Sequence, residues 1–119
     1  MSSIEVIRRL FGASRRLLKP RDVLARLQRP APPLVLDLRR PEEYAVSHIP
    51  GAMPLPISEL SRRLRDLPRD REIVCVCGFG SNSDSVAEML ASAGFKSVNM
   101  EEGMVGWQRA GLPVEEGSS

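Results

Sequence analysis

The spacing of apolar residues changes several times along the chain, and each change marks an element. Residues 71–77, REIVCVC, form a near-continuous apolar run, the pattern of a strand buried on both faces. Residues 34–39, LVLDLR, read as a second buried strand, and residues 95–100, FKSVNM, as a third. Elsewhere the period is helical. In KPRDVLARLQ (19–28), Val23, Leu24 and Leu27 share a face, with Pro20 in the first turn. In SELSRRLRDL (58–67), Leu60, Leu64 and Leu67 make a stripe, and Ser58 is the expected cap. In SDSVAEMLASAG (83–94), Val86, Ala87, Leu90 and Ala93 face inward and Gly94 is the stop. Residues 41–47 suit one or two helical turns started by Pro41, and residues 103–111 a last short helix. HIPGAMPLP (48–56) has too many prolines for a helix and predicts a loop with a short extended piece.

Residues 4–18 place Ile4, Ile7, Leu10, Phe11, Leu17 and Leu18 among arginines, with Gly12 interrupting. This basic amphipathic pattern predicts a helix or arm that packs on its own domain, a membrane surface or a partner. The expected division is an N-terminal arm over 1–19, one domain over 20–114 and a tail over 115–119. Strands alternating with helices predict an α/β fold with a parallel sheet covered on both faces. In such sheets ligands sit at the carboxyl ends of the strands, where Cys77 falls.

The chain has 119 residues, 42% apolar and 27% charged, which suits one globular domain. Its net charge of +2 hides an asymmetry. Residues 1–29 hold eight basic and two acidic residues, whereas residues 30–119 hold nine basic and thirteen acidic ones. An acidic body argues against a nucleic-acid partner. No apolar run approaches the ~20 residues of a transmembrane segment. Glu5, Arg8 and Arg9 break the first apolar patch, so no signal peptide is expected. The two cysteines, Cys75 and Cys77, make a poor disulfide, because residues i and i+2 of a strand have Cα atoms about 6.5–7 Å apart. A reducing, cytoplasmic setting follows, in which an exposed cysteine is a candidate for catalysis.

Cys77 is that candidate. A free thiol with a pKa of about 8.5 is mostly protonated at neutral pH, and a helix N-terminus favours its reactive anion. Gly78 and Gly80 let the backbone curl so that successive N–H groups point inward as an anion nest. Ser81, Asn82 and Ser83 can cap the helix that follows. A buried structural cysteine before a tight turn is the alternative for Cys77, and core packing is the expectation for Cys75. Asp37, near a strand end, must find donors such as Arg39 or loop N–H groups, which points to positioning rather than acid–base work. His48 is the one histidine, so a Cys–His pair would have to use it. The rigid SHIPGA context favours a hydrogen-bonding structural role. No cluster has metal-ligand spacing, and no metal or cofactor is expected.

LDLRRPEEYAVSHIPGAMPLPISEL (36–60) and IVCVCGFGSNSDSVAEMLASAGFKSVNMEEGMVGWQRAGLPV (73–114) together resemble a single-domain rhodanese. The similarity runs from about Leu34 to Val114 and more loosely from Pro20. It is carried by Asp37-Leu-Arg39, Glu43-Tyr44, His48 to Ala52, Cys77 with its loop, Gly94-Phe95, Gly103, Trp107 and Gly111 to Val114. The resemblance implies a rhodanese-like sheet of about five parallel strands with helices on both faces. It implies a sulfurtransferase whose Cys77 takes sulfur from a donor, holds it as a persulfide and passes it to a nucleophile. Residues 77–82 would be the active-site loop, with Ser83 just beyond and Asp37, Arg39 and His48 in support. A small sulfur donor (a persulfide or thiosulfate), a thiol acceptor and a sulfur-carrier protein are the partners this chemistry allows.

Two departures stand out. Rhodanese loops often carry arginine or lysine right after the cysteine and at the last loop position, where this chain has Gly78 and Asn82. The glycine pair often found before the last helix is Glu102-Gly103. Without loop cations, thiosulfate is expected to be a poor donor. Phosphatases and arsenate reductases of the same fold need a longer loop ending in arginine, yet no arginine lies between Arg71 and Arg109. The remaining alternative is a non-catalytic sulfur-relay or binding module loaded by a protein partner.

Overall fold

The structure is a computed structural model, and it describes residues 17–117. The basic pattern over 4–16 lies outside the described residues. Five strands, β1 (Leu17–Leu18), β2 (Leu34–Asp37), β3 (Met53–Pro54), β4 (Glu72–Val76) and β5 (Lys96–Met100), form one parallel sheet in the order β1-β5-β4-β2-β3. The helices are α1 (Pro20–Leu27), α2 (Pro41–Val46), α3 (Leu60–Arg63), α4 (Ser81–Ser92) and α5 (Gly103–Arg109). The α/β architecture is the expected one.

β4 is central because its residues are apolar on both sides. Val74 and Val76 point into one core with Val35, Val98, Tyr44 of α2 and the fully buried Trp107 of α5. Ile73 and Cys75 point into the other with Leu36, Leu60, Val86 and Leu90. This alternation is the two-residue period of a strand, here read on both faces. The Trp107 indole N–H donates to Pro113 O at 2.8 Å, so its burial leaves no polar atom unpaired.

Three expectations are corrected. Leu17 and Leu18 are not part of a helical arm. They pair with Asn99 and Met100 as an edge strand, and Leu18 packs against the first core. An apolar pair beside an open β5 edge gains more by completing the sheet than by extending an amphipathic helix. Ser58 does not cap a regular helix. It lies inside a 3₁₀ turn (Ile57–Glu59) that leads into α3, with a second such turn over Leu64–Asp66. The tighter turns still bring Leu60 and Leu67 into the core. Finally, α4 begins and ends two residues earlier than its apolar stripe suggests, because Gly80 starts it in a left-handed conformation (φ 100°).

Among the described residues no helix is long and apolar enough to cross a membrane. Cys75 is fully buried, and burial first and the neighbouring Cys77 second push its thiol from an ordinary 9.0 to about 12. Between these values the unfolded chain sheds the proton and the folded chain keeps it. The unfolded state then binds fewer protons, and stability falls as pH rises through this window. Urea unfolding below and within the window should show the wild type losing a few kcal/mol, ~4 at most, that Cys75→Val does not lose. Parallel losses in both proteins would refute the assignment.

Candidate active site

Cys77 follows the last residue of β4, and the chain must reverse at once to lay α4 on the sheet. Gly80 makes the reversal. A Cβ there would stand 3.0 Å from Glu102 N, in a backbone conformation that side chains rarely adopt. The turn aims the start of α4 at the sulfur. Cys77 Sγ accepts N–H groups from Gly80 at 2.9 Å and Ser83 at 3.4 Å, and the Ser83 hydroxyl lies at 3.1 Å. These donors converge on the sulfur from the loop and the first turn of α4. The donor set on Sγ is smaller than a full nest: two backbone N–H groups and one hydroxyl. Ser81 and Asn82 are exposed first-turn residues rather than caps, and Gly80 occupies the N-cap position.

The Ser83 hydroxyl has one proton and three partners, Cys77 Sγ, Gly80 O at 3.2 Å and Asn99 Oδ1 at 2.5 Å. Asn99 Nδ2 donates to Gly80 O at 3.0 Å. Asn99, buried on β5, thus ties the loop carbonyl and the serine together. Sequence reasoning passed over it. The available signal was the alternation of Ser97 and Asn99 on a strand whose neighbours on both sides leave it no solvent face.

The other wall of the loop is the start of α5. Met104 N–H donates to Cys77 O at 2.8 Å and Val105 N–H to Gly78 O at 3.0 Å. Gly103 (φ 54°) allows this approach, since a Cβ there would lie 2.2 Å from Cys77 O.

Asp37 and Arg39 form a buried fork. Arg39 Nε donates to Asp37 Oδ1 at 2.9 Å, and Nη2 reaches Oδ2 and Ser47 O at 2.7 Å each. The pair joins the end of β2 to the end of α2. His48 stacks on Tyr44 with ring centroids 3.7 Å apart, and its Nδ1 donates to Tyr44 O at 2.8 Å. Its backbone pairs with Glu115, so it anchors the segment that follows α5. His48 and Asp37 do not line the space around the thiol.

That space is a cleft of about 410 Å³. Cys77, 7% exposed, and Phe79, 77% exposed, both line it. Gly78, Asn82, Arg39, Pro56 and Ile57 also contribute. Gly80 and Ser81 face a second depression across Phe79. The loop itself has no cation, but the cleft does, because α2 brings Arg40 and Glu43 to its wall. Arg40 Nε donates to Glu43 Oε1 at 3.2 Å, and Arg40's hydrogen bonds hold the Glu43 carboxyl below its usual value. The loop lacks cations as the sequence indicates, but the cleft around it does not. The tertiary approach of α2 supplies the charges, and nothing in the loop's own residues announces it.

The model of the Rhodanese-like domain family matches residues 19–110. The chain belongs to the rhodanese-like domain family. It is 40% identical over 86 residues to an HTH-type transcriptional regulator of Mycobacterium tuberculosis, a match covering 71% of this chain and 38% of that protein. It is 35% identical over 82 residues to a sulfurtransferase of Allochromatium vinosum, covering 68% of this chain and 77% of that one. The crystal structure of a rhodanese-related protein from Thermoplasma volcanium superposes with a TM-score of 0.79 at 31% identity, over 84% of this chain and 97% of that chain. These relatives support membership of a sulfurtransferase family. The chain spans well under half of the first relative, whose helix-turn-helix character is its own.

In this rhodanese-like domain, Glu102, the residue that departs from the glycine pair, takes the left-handed conformation (φ 63°). Gly103 cannot be spared in the same way. Gly103→Ala should cost roughly 2–4 kcal/mol, because the methyl group must displace the Cys77–Gly78 backbone. Chemical denaturation measures it, and a cost under about 1 kcal/mol would show that the loop can yield.

Proposed function

We propose that the protein is a rhodanese-type sulfurtransferase that carries sulfane sulfur as a persulfide on Cys77 and passes it to a thiol or another nucleophile. One observation carries the reading: Cys77 lines a cleft, and its Sγ accepts N–H groups from Gly80 and Ser83. The Cys77 thiolate attacks the outer sulfur of a donor R–S–SH. The S–S bond breaks, and its electron pair leaves on R–S⁻, which takes a proton from water. The sulfane sulfur remains as Cys77–S–SH. An acceptor thiolate then attacks that outer sulfur and releases the Cys77 thiolate. Neither half needs a separate base once the thiol is ionised, so the distance of His48 from this role is no obstacle. Two unpaired cysteines suit a reducing compartment such as the cytoplasm.

Incubation with a persulfide donor followed by peptide mass analysis should place a cyanide-labile sulfur on Cys77 alone. Cys77→Ser should abolish it, and sulfur on Cys75 would overturn the reading. The runner-up reading is a relay module loaded by a protein partner, which the exposed Phe79 and Ile57 of the cleft favour. Turnover with small donors separates the two: a relay module would show none.

The donor follows from the donors on Sγ. They are neutral, whereas charge-assisted hydrogen bonds are roughly twice as strong. Thiosulfate lacks one or two such contacts, at ~1.5–3 kcal/mol each, which weakens its transition state by about one to four orders of magnitude. Glutathione persulfide should therefore give the higher kcat/KM, and Asn82→Arg should raise the thiosulfate value. A wild type that prefers thiosulfate, or a folded Asn82→Arg without gain, would contradict this.

A further inference from the structure

Two arginines line the cleft, and they are not equivalent. Arg39 is 8% exposed in its side chain and is held on both Asp37 oxygens and on Ser47 O. Its charge is cancelled and its fork is occupied. Arg40 is 75% exposed, and only its Nε has a partner, the Glu43 carboxylate at 3.2 Å. Among the described residues no acceptor meets its Nη1 and Nη2. An exposed pair of this kind contributes little to stability, so Glu43 is a weak competitor for the guanidinium.

The positions of the groups then describe a ligand. Cys77 and Arg40 both line the cleft, Cys77 buried and the Arg40 side chain largely exposed. Leu38, Pro56, Ile57 and Phe79 also line it and supply apolar wall. A cleft of about 410 Å³ is of the size that holds an organic molecule. We propose that Arg40 is the specificity-determining residue for the donor: it takes a carboxylate of a small organic persulfide, whose carbon chain crosses the apolar wall while its outer sulfur reaches Cys77. This rests on the sulfurtransferase reading and adds the donor's charge and the residue that reads it. The planar fork of arginine matches a carboxylate in two parallel hydrogen bonds, which lysine cannot reproduce.

The test compares kcat/KM for glutathione persulfide and for the persulfide of glutathione diethyl ester, in the full chain. The wild type should prefer the carboxylated donor by about tenfold or more, the value of one charge-assisted contact. Arg40→Ala should erase most of that ratio, mainly through KM, and Arg40→Lys should keep only part of it. Glu43→Gln frees the guanidinium while keeping an oxygen for the Arg40 backbone N–H, so it should raise the ratio. That gain is an effect no folding defect produces. Equal preference for the two donors in the wild type, or an unchanged ratio in Arg40→Ala with an unaltered melting curve, would overturn the inference and leave the Cys77 chemistry standing. A larger loss with thiosulfate than with glutathione persulfide in Arg40→Ala would reassign Arg40 to an inorganic donor and also overturn it. Failure to load Cys77 from any donor would defeat the sulfurtransferase reading itself, and this inference with it.

Discussion

The carbonyl groups of Cys77 and Gly78 point into the first turn of α5, and the geometry of the site depends on that contact. The first N–H groups of a helix have no partner within it, and here two of them are met by the loop, at Met104 and Val105. Each element thereby satisfies the other. The peptide planes carry the effect further. In a trans peptide the C=O and the N–H of the next residue face opposite ways, and the described chain has no cis bond. Fixing the two carbonyls toward α5 turns the Gly78 and Phe79 N–H groups away from it. The whole arrangement needs a residue without a side chain at Gly103, since the backbones approach to a distance no Cβ could share.

A second constraint holds α4. Ser97 and Asn99 occupy the face of β5 that α4 covers, where apolar residues would pack at lower cost. Every buried side-chain polar atom of the two has a partner. Ser97 Oγ donates to Ala87 O, and Asn99 bridges Ser83 Oγ and Gly80 O. The two contacts grip α4 at its start and one turn further along. A smooth apolar face would let the helix slide by a fraction of a turn, and the Ser83 N–H would then leave Sγ. Buried polar groups that must all be satisfied leave one register open, which is a gain in specificity rather than in stability.

The legible parts of the sequence were those whose cause is local. β4 shows as an unbroken apolar run, and its end at Cys77 shows because two glycines and three small polar residues follow it. The Asp37–Arg39 pairing was one of few available, since a buried carboxylate has to meet donors and Arg39 is two residues away. The boundaries of α4 were shifted because its apolar stripe reports where the helix touches the core, whereas its start is set by the conformation of Gly80. Leu17 and Leu18 misled because a two-residue edge strand leaves no period to detect. Arg40 and Glu43 were invisible for another reason. Their roles arise from what lies opposite them in space, and each looks like an ordinary solvent-facing residue on its own element.

The charges around the cleft sum to nearly nothing, and this bears on the proposed sulfur transfer more than any single contact. Asp37 cancels Arg39 and Glu43 partly cancels Arg40, so the sulfur sees dipoles rather than a net field. Transfer between a thiolate and a neutral persulfide keeps one negative charge in the site from start to finish, because the departing thiolate replaces the attacking one. Such a step asks only that the charge be solvated equally at both sulfurs, which fixed N–H groups do without reorganising. A dianionic donor would bring three negative charges together. Each additional like charge about 4 Å from the thiolate costs roughly 4 kcal/mol at an effective dielectric near 20. A site with loop cations offsets that repulsion where it arises. Here the loop has no cation, and on the proposed reading Arg40 of the cleft wall would offset only a charge that the donor carries away from its outer sulfur.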